Sequence, residues 1–497
     1  MKWCFLLNTA PCMAEFLGKI SRQIIKEGDE CLILANSKIA EFDGRKFFSN
    51  KCRFISKVDW CAKNYDENRQ DFKDLSWREF FPTFERKTKL KLLDFGYDDS
   101  VGIISQLYQF LDYELQSEKP DVVINELPAN VFTEIAYNLC KKKNIVYAGF
   151  VGSRFNGRVD IYDQETTCSF YKTVFDRLSV KEISRPEREF ARKFIDDFIS
   201  HKQLPSLTDD NSLIFFDKAN LFKYYPKRLK TIFGARIRYF LGRKRFKSYD
   251  YESEAAMNSL FVSPREAALR KLKIIFQKNI FKPPGANDNF FFFPLHFQPE
   301  ASTSVMSTYF CDQLASVKNA AFCLPFPYKL YVKEHPVAIG TRSDNFYKEL
   351  TSIPNVVLIA PDESTESLIK QSRGIITLTS TVGMEAALAG KRVYTLGNVF
   401  YSYHPLCVKV DSFEELKEKI RFDLSNRPII SALEEINLRF IVSYFRNTFQ
   451  GDIFSAGRKK DTNDYKKMYE EIKHFLSVIK TENGFYGKNS EITRYER

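Results

Sequence analysis

The stretch Phe290-Phe-Phe-Phe-Pro-Leu-His-Phe-Gln-Pro-Glu-Ala-Ser-Thr303 decides how this chain folds. Four consecutive phenylalanines suit a strand buried on both faces, which is the environment of a parallel sheet covered on both sides. Pro294 cannot donate to a central ladder, so it marks the strand's end. Residues 296–300 then form a loop in which Pro299 restricts the backbone, and Ser302 or Thr303 can cap the next helix. Ligands of open α/β sheets bind outside the carboxyl ends of the strands. His296, Gln298 and Glu300 are therefore candidate site residues.

A second phrase repeats the arrangement. Tyr328-Lys-Leu-Tyr-Val reads as a strand and ends in Lys333-Glu-His-Pro336. Histidine is scarce, five in 497 residues, and two of the five stand at these strand ends, His296 and His335, near Glu300 and Glu334. A histidine at position 335 can donate to a phosphate or to a leaving group's developing charge, and Lys333 adds a positive field. A carboxylate at position 300 could serve as nucleophile, general base or acceptor for a sugar hydroxyl. The plainer alternative is a satisfied core imidazole at 296 and a helix-dipole carboxylate at 300. Two equivalent strand ends favour a site over that alternative.

A third element is Gly374-Ile-Ile-Thr-Leu-Thr-Ser-Thr-Val-Gly-Met-Glu-Ala-Ala-Leu-Ala-Gly390. A buried strand runs into Thr379-Ser380-Thr381 and then a helix containing Gly383 and Glu385. Hydroxyls and free backbone N–H groups at a helix start make an anion site, which suits a nucleotide phosphate. Glu385 could then bind ribose hydroxyls. Plain capping of a core helix is the alternative. Tyr401 and His404 follow the next strand on a loop near the same edge.

Working outward, strands are expected at 290–297, 328–334, 355–360, 374–379 and 392–396. Helices are expected at 303–320, 343–352, 363–372, 381–389 and 412–422. That alternation predicts a doubly wound domain. A similar alternation fills the first ~150 residues, in line with a length that suits two domains. Strands there are expected at Lys2–Leu7, Glu30–Ala35, Pro120–Asn125 and Asn144–Ala148. Helices are expected at Ala14–Lys26, 101–117 and through Cys140. Glu126 closes the strand at 120–125 and is the first domain's counterpart of Glu300. If two such domains face each other, Glu126 looks across a cleft at Glu300. Arg154 and Arg158, in the loop Gly152–Arg158, could meet an anionic acceptor. The expected division is a first domain at 1–215, a basic and helical connector or insertion at 216–288, a second domain at 289–425, and a helical segment at 426–497; within the span 163–285, helices are expected at 186–200 and 253–278.

Composition narrows the classes. Apolar content of 44% and charged content of 28% describe a soluble globular chain. The net charge of +12 points to acidic partners. No run approaches the ~20 apolar residues of a membrane helix, and the N-terminal apolar run is too short for a signal peptide. Ten cysteines without a CxxC pair read as buried free thiols of a reducing cytoplasm, not as a zinc site. Lys223–Lys247 holds ten Lys or Arg, no acid, and interleaved aromatics. It reads as a solvated face or as a surface for anionic lipid. No nucleic-acid module accompanies the charge, so nucleic acid is not the expected partner.

With these phrases in hand, the chain resembles the capsule polysaccharide biosynthesis family, the group that includes retaining β-Kdo transferases. The resemblance lies in Gln298-Pro299-Glu300, in Glu334-His335-Pro336, and in Thr379-Ser380-Thr381-Val-Gly-Met-Glu385 with Ala386-Ala-Leu-Ala-Gly-Lys-Arg-Val393. It is strong over 289–405 and weaker over 118–160. It implies a GT-B fold: two Rossmann-like α/β domains facing a cleft, nucleotide-sugar donor on the second, glycan or lipid-linked glycan acceptor on the first, with no essential metal and no cofactor. Carried onto this chain, Glu300, Glu126 and His335 are the catalytic candidates. Gln298, Lys333, Ser380, Thr381, Gly383 and Glu385 line the donor nucleotide, and Arg154 and Arg158 the acceptor. Kdo-transferring members carry Asp where this chain has Glu300, so donor sugar and stereochemical course stay open. The expected activity is a metal-independent glycosyltransferase, using CMP-Kdo or a related sugar nucleotide to extend a capsular or lipopolysaccharide glycan. Its expected place is the cytoplasm, at the inner face of the membrane. The alternatives are a nucleotide-sugar epimerase of similar form and a non-catalytic component of a polysaccharide assembly complex.

Overall fold

A computed structural model describes residues 1–10, 12–69, 72–162, 169–200, 250–277, 280–426, 432–457 and 461–481. The basic stretch Lys223–Lys247 lies outside these described residues. The strands are β1 Lys2–Leu7, β2 Glu30–Ala35, β3 Arg53–Ser56, β4 Val122–Glu126, β5 Val146–Gly152, β6 Arg158–Tyr162, β7 Phe290–Pro294, β8 Lys329–Lys333, β9 Val356–Ile359, β10 Ile375–Thr377, β11 Val393–Thr395, β12 Cys407–Lys409 and β13 Thr448–Gln450. They form two sheets, ordered β13-β6-β5-β4-β1-β2-β3 and β12-β11-β10-β7-β8-β9.

The second sheet is parallel throughout. Counted from β7, its order is that of the doubly wound dinucleotide-binding fold, with the direction of winding reversing between β7 and β10. The phenylalanine run explains why it is covered on both faces. Phe291 and Phe293 enter one apolar core with Val332, Leu350 and Leu416, while Phe290 and Phe292 enter the other with Tyr331, Ile369 and Ala386. Period-2 alternation of four equally apolar side chains needs a core on each side.

The first sheet is parallel from β3 through β2, β1 and β4 to β5. Its winding reverses between β1 and β4. β6 and β13 extend it antiparallel. Leu6, Leu34 and Val123 pack one face against Phe80, Leu107 and Phe132. Both sheets are thus Rossmann-like, as the α/β alternation implied.

The described residues fall into two compact units. One draws on Met1–Gln164, Pro205–Ser263 and Arg446–Arg497, the other on Glu165–Leu204 and Pro264–Phe445. This division differs from the expected one. The C-terminal segment does not stand apart, because β13 pairs with β6 (Thr448 opposite Asp160) and the helix Tyr465–Thr481 packs on the helix Met13–Lys26. The helix Arg185–Ile199 packs on the helix Val382–Leu388 and so belongs to the second unit. The long helix Tyr251–Gln277 was expected in a connector; it starts in the first unit and ends in the second. The expected single helix at 303–320 is broken into Ala301–Ser304, a 3-10 turn at Thr308–Phe310 and Gln313–Cys323. Its N-cap is Glu300 rather than Ser302 or Thr303.

No described helix is long and apolar enough to cross a membrane. The nine described cysteines are all free thiols, seven of them buried.

Candidate active site

The carboxyl ends of β7, β8 and β10 carry the three motifs. At the end of β8 the chain turns through Glu334 into a 3-10 turn, Pro336–Ala338, capped by His335. The Val337 N–H donates to His335 Nδ1 at 3.2 Å. A neutral ring there carries its proton on Nε2, which leaves one N–H donor to offer. Burial pushes this imidazole below its ordinary range, with Arg342 and Lys333 acting the same way and Glu334 opposing them.

Glu334 is buried and accepts three hydrogen bonds: from the His335 N–H (2.7 Å), the Tyr347 hydroxyl (2.7 Å) and Arg342 Nε (2.7 Å). The same guanidinium reaches back to the β7 loop, donating to the His296 carbonyl at 2.6 Å and to Gln313 Oε1 at 3.4 Å. Gln313 accepts from the His296 N–H at 2.7 Å and donates to Gln298 Oε1 at 3.0 Å. The two loops are therefore bolted together by Arg342 and Gln313. Neither residue stood out in the sequence, since nothing local distinguishes a loop arginine that pairs eight residues back.

His296 is buried, and its Nε2 accepts the Thr379 N–H at 3.1 Å. Thr379 Oγ1 donates to the Ser302 carbonyl at 2.8 Å. These bonds join the β7 and β10 loops at the point where the winding reverses. Burial, with His335 and Arg342 nearby, pushes the His296 pKa down to about 3. His296 is thus a neutral structural link, which favours the plainer of its two sequence readings.

Glu300 caps the short helix with its backbone carbonyl, which accepts from the Thr303 and Ser304 hydroxyls. Its carboxylate is exposed and accepts from Ser302 Oγ at 3.3 Å.

The 379–385 region differs from the expected cradle of free N–H groups. The Ser380 N–H goes to Thr377 Oγ1, the Val382 N–H to Ser380 Oγ and the Gly383 N–H to the Ser380 carbonyl. The helix Val382–Leu388 is only seven residues long. Side-chain hydroxyls of Ser380 and Thr381, half-buried at this edge, remain the polar groups to meet a ligand. Gly383 has a packing explanation, because a Cβ there would collide with the Tyr401 hydroxyl, which donates to the Ser380 carbonyl. Glu385 is buried and acts electrostatically on Lys333. The Lys333 ammonium is itself committed to the Glu363 carbonyl (2.7 Å) and Thr365 Oγ1 (2.6 Å), at the start of the helix Thr365–Gln371. His404 is buried against Asn437 (3.0 Å) and has a structural partner.

In the first unit, Glu126 ends β4 beside Asn8, which follows β1. Asn8 Nδ2 donates to Glu126 Oε1 at 3.1 Å, across the point where this sheet's winding reverses. Burial raises the Glu126 carboxyl above its usual range, while Asn8 and the Arg86 guanidinium pull it down. A carboxyl placed this way can hold or release a proton nearer neutrality than a surface glutamate. Asn8 stood at a readable strand-to-loop junction; Arg86 had no sequence signal. Arg158 lies in β6, and its guanidinium donates to the Thr448 hydroxyl and carbonyl. It thus fastens β13 to the sheet, because a strand of three residues needs side-chain support. Arg154 lies in the turn between β5 and β6.

Comparison with known proteins bears on the second unit. Residues 286–424 match the family model described as capsule polysaccharide biosynthesis protein. Protein FixF of Sinorhizobium fredii is 31% identical over 139 residues, 27% of this chain and 32% of FixF, so the match spans about a third of that relative's length. The chain is similar to the Thermosulfurimonas dismutans KpsC beta Kdo 2,7 transferase at 12% identity, over 74% of this chain and 89% of that one, with a TM-score of 0.32. It is similar to the UDP-GlcNAc 2-epimerase of Methanocaldococcus jannaschii at 14% identity, over 90% and 99%, with a TM-score of 0.26. The fold rests on the strand orders, not on these likenesses. Residues 286–424, the stretch matched by that family model, hold all three motifs.

Proposed function

We propose that this chain is a glycosyltransferase that moves a sugar from a nucleotide-sugar donor to a growing capsular or lipopolysaccharide glycan, without a metal, at the cytoplasmic face of the membrane. The observation that carries the reading is the clustering of His335, Glu300 and the Ser380–Thr381 hydroxyls at the β7, β8 and β10 ends of a sheet segment that matches the capsule family. Carboxyl-terminal strand ends at a winding reversal are where such sheets take nucleotides.

In the reaction, an acceptor oxygen bonds to the anomeric carbon as the bond from that carbon to phosphate oxygen breaks. The electron pair leaves with the nucleotide phosphate. His335 Nε2–H and the Ser380 and Thr381 hydroxyls stabilise that phosphate, because donors already oriented need no reorganisation as charge develops. Glu126, with its carboxyl raised by burial, receives the acceptor's proton. Glu300 supplies a carboxylate at the anomeric carbon.

The test is transfer assayed by mass spectrometry with CMP-, UDP- and GDP-sugars and glycan acceptors, with and without EDTA. Glu300→Gln and His335→Ala are expected to lose transfer while unfolding at the wild-type temperature. Full activity in both variants sinks the assignment. Conversion of the donor sugar without any acceptor would instead identify an epimerase.

A further inference from the structure

Two thiols face each other at the amino edge of the first sheet. β2 and β3 pair parallel, with Leu32 opposite Arg53, so one residue further back Cys31 stands opposite Cys52. Neighbouring strands lie about 4.8 Å apart, and a disulfide spans Cα atoms roughly 4.4–6.8 Å apart. Successive side chains of a strand alternate between its faces. Leu32 packs in one core with Cys4 and Leu34, so Cys31 points to the other face. Arg53, on the Leu32 side, pairs with Glu118 at 2.7 Å, which turns Cys52 to the face of Cys31. There the Cys31 S–H donates to the Cys52 sulfur, and Ser21 of the helix Met13–Lys26 stands beside it.

This pair is reachable where deeper thiols are not. β3 is the outermost strand of its sheet and only four residues long. Cys52 lies in the turn that feeds it, its N–H donating to the Ser49 carbonyl at 2.9 Å, between exposed Lys51 and Arg53. Cys31 is 6% exposed and Cys52 7%, whereas Cys4 and Cys140, which act on one another electrostatically, are 0% exposed. A short edge strand with solvent-exposed neighbours opens locally at little cost. The two thiols are also unequal. The bond from Cys31 draws Cys52 below the usual thiol range against the effect of burial, with Ser21 and the Ser49 backbone acting the same way. That bond and burial push Cys31 up. The thiolate is the attacking species, so Cys52 reacts first and Cys31 resolves.

We propose that Cys31 and Cys52 are a reversible thiol–disulfide couple that takes low-molecular-weight disulfides as its oxidant and, when closed, ties β3 to β2. The Cys52 thiolate attacks one sulfur of the small disulfide, and the other half leaves as a thiolate, which takes up the proton Cys52 had lost. Cys31 then attacks the Cys52 sulfur of the mixed disulfide, and its proton passes to the second departing half. Two protein thiols are oxidised, and one small disulfide is reduced to two thiols. Excess small thiol drives the reverse. The couple lies at the opposite edge of the sheet from Glu126, and its assignment is independent of the glycosyltransferase reading.

The test uses the full chain, reduced, exposed under native conditions to glutathione disulfide, then alkylated and digested without reduction. Mass spectrometry is expected to show the Cys31 and Cys52 peptides linked in most of the protein, with Cys4 and Cys140 still thiols. Dithiothreitol should restore the pair. Cys31→Ala is expected to stop at the mixed disulfide on Cys52, and Cys52→Ala to slow modification of Cys31 about ten-fold or more. Amide exchange across Arg53–Ser56 should slow in the oxidised protein, because the tie suppresses local opening of the strand. Phenylarsine oxide, which bridges two adjacent thiols, tests the pairing in the wild type without a substitution and should protect both cysteines together from alkylation. Glutathione persisting on Cys52 in the wild type, linkage of either cysteine to a different one, both thiols staying reduced, no joint protection by the arsenical, or unchanged exchange in β3 each overturns the proposal.

Discussion

His296 Nε2 accepts the Thr379 N–H at 3.1 Å across β7 and β10, just as Asn8 Nδ2 donates to Glu126 Oε1 at 3.1 Å across β1 and β4. Each bond spans the place where its sheet reverses winding, so each holds two strand-end loops in one geometry. Candidate groups sit beside both bonds: Ser380 next to Thr379, and Glu126 itself.

The Arg342–Glu334 pair bears on stability. Both side chains are largely buried and lie 2.7 Å apart. Breaking a buried pair by removing one partner strands the other charge, at a cost of about 3–5 kcal/mol. Arg342→Met should lose that much in urea unfolding, and Arg342→Met with Glu334→Gln should recover part of it. A single-variant loss below about 1 kcal/mol would contradict the ion-pair account.

Glu126 makes a prediction about pH. Its carboxyl is raised by burial and pulled down by Asn8 and Arg86. If it accepts the acceptor's proton, activity falls as pH drops through its pKa, above the ordinary glutamate value of about 4.3. Arg86→Gln removes a nearby cation, so the acid limb of kcat/KM should move to higher pH. A limb that stays put or moves down would exclude Glu126 as the group titrating there.

Two histidines couple stability to pH. Burial depresses His296 to about 3 and His404 to about 4. The unfolded chain then binds protons that the folded one refuses, so their contribution is complete above pH ~6.5 and is lost as pH falls toward those values. Each histidine costs about 1.4 kcal/mol per pH unit through that window. Glu114 and Glu134, each raised to about 7 mainly by burial, work in the opposite sense. The informative quantity is therefore the difference between His404→Gln and wild type. The variant should show the flatter loss of stability between pH 6 and 4 in chemical denaturation series; equal slopes would show that His404 does not titrate as its burial requires.

Gly383 offers a packing test. A Cβ there meets the Tyr401 ring and hydroxyl. Gly383→Ala should destabilise by about 1–3 kcal/mol, and adding Tyr401→Phe should relieve part of the loss. No relief would mean that the clash is taken up by the helix backbone.

Five of the six strands of the second sheet were legible to within three residues at each end, while β12, Cys407–Lys409, was not expected. Apolar runs such as Phe290–Phe293 admit only a doubly covered strand, and helix caps such as Ser343, Ser364 and Ser412 announce themselves locally. Fewer signals pointed to β3, a four-residue strand with two central apolar side chains, or to β13, which needs β6 far back in the chain.

By itself the sequence determined two α/β alternations and brought three motifs to strand ends, because burial periodicity is written in consecutive residues. Only the tertiary structure decided what each polar group does there. Lys333 is spent on the Thr365 turn, Arg158 on β13, and Gly383 on Tyr401, while Arg342 and Gln313 clamp the two loops. A hydrogen-bond partner is chosen by distance in space, and residues distant in sequence carry no local mark of that choice.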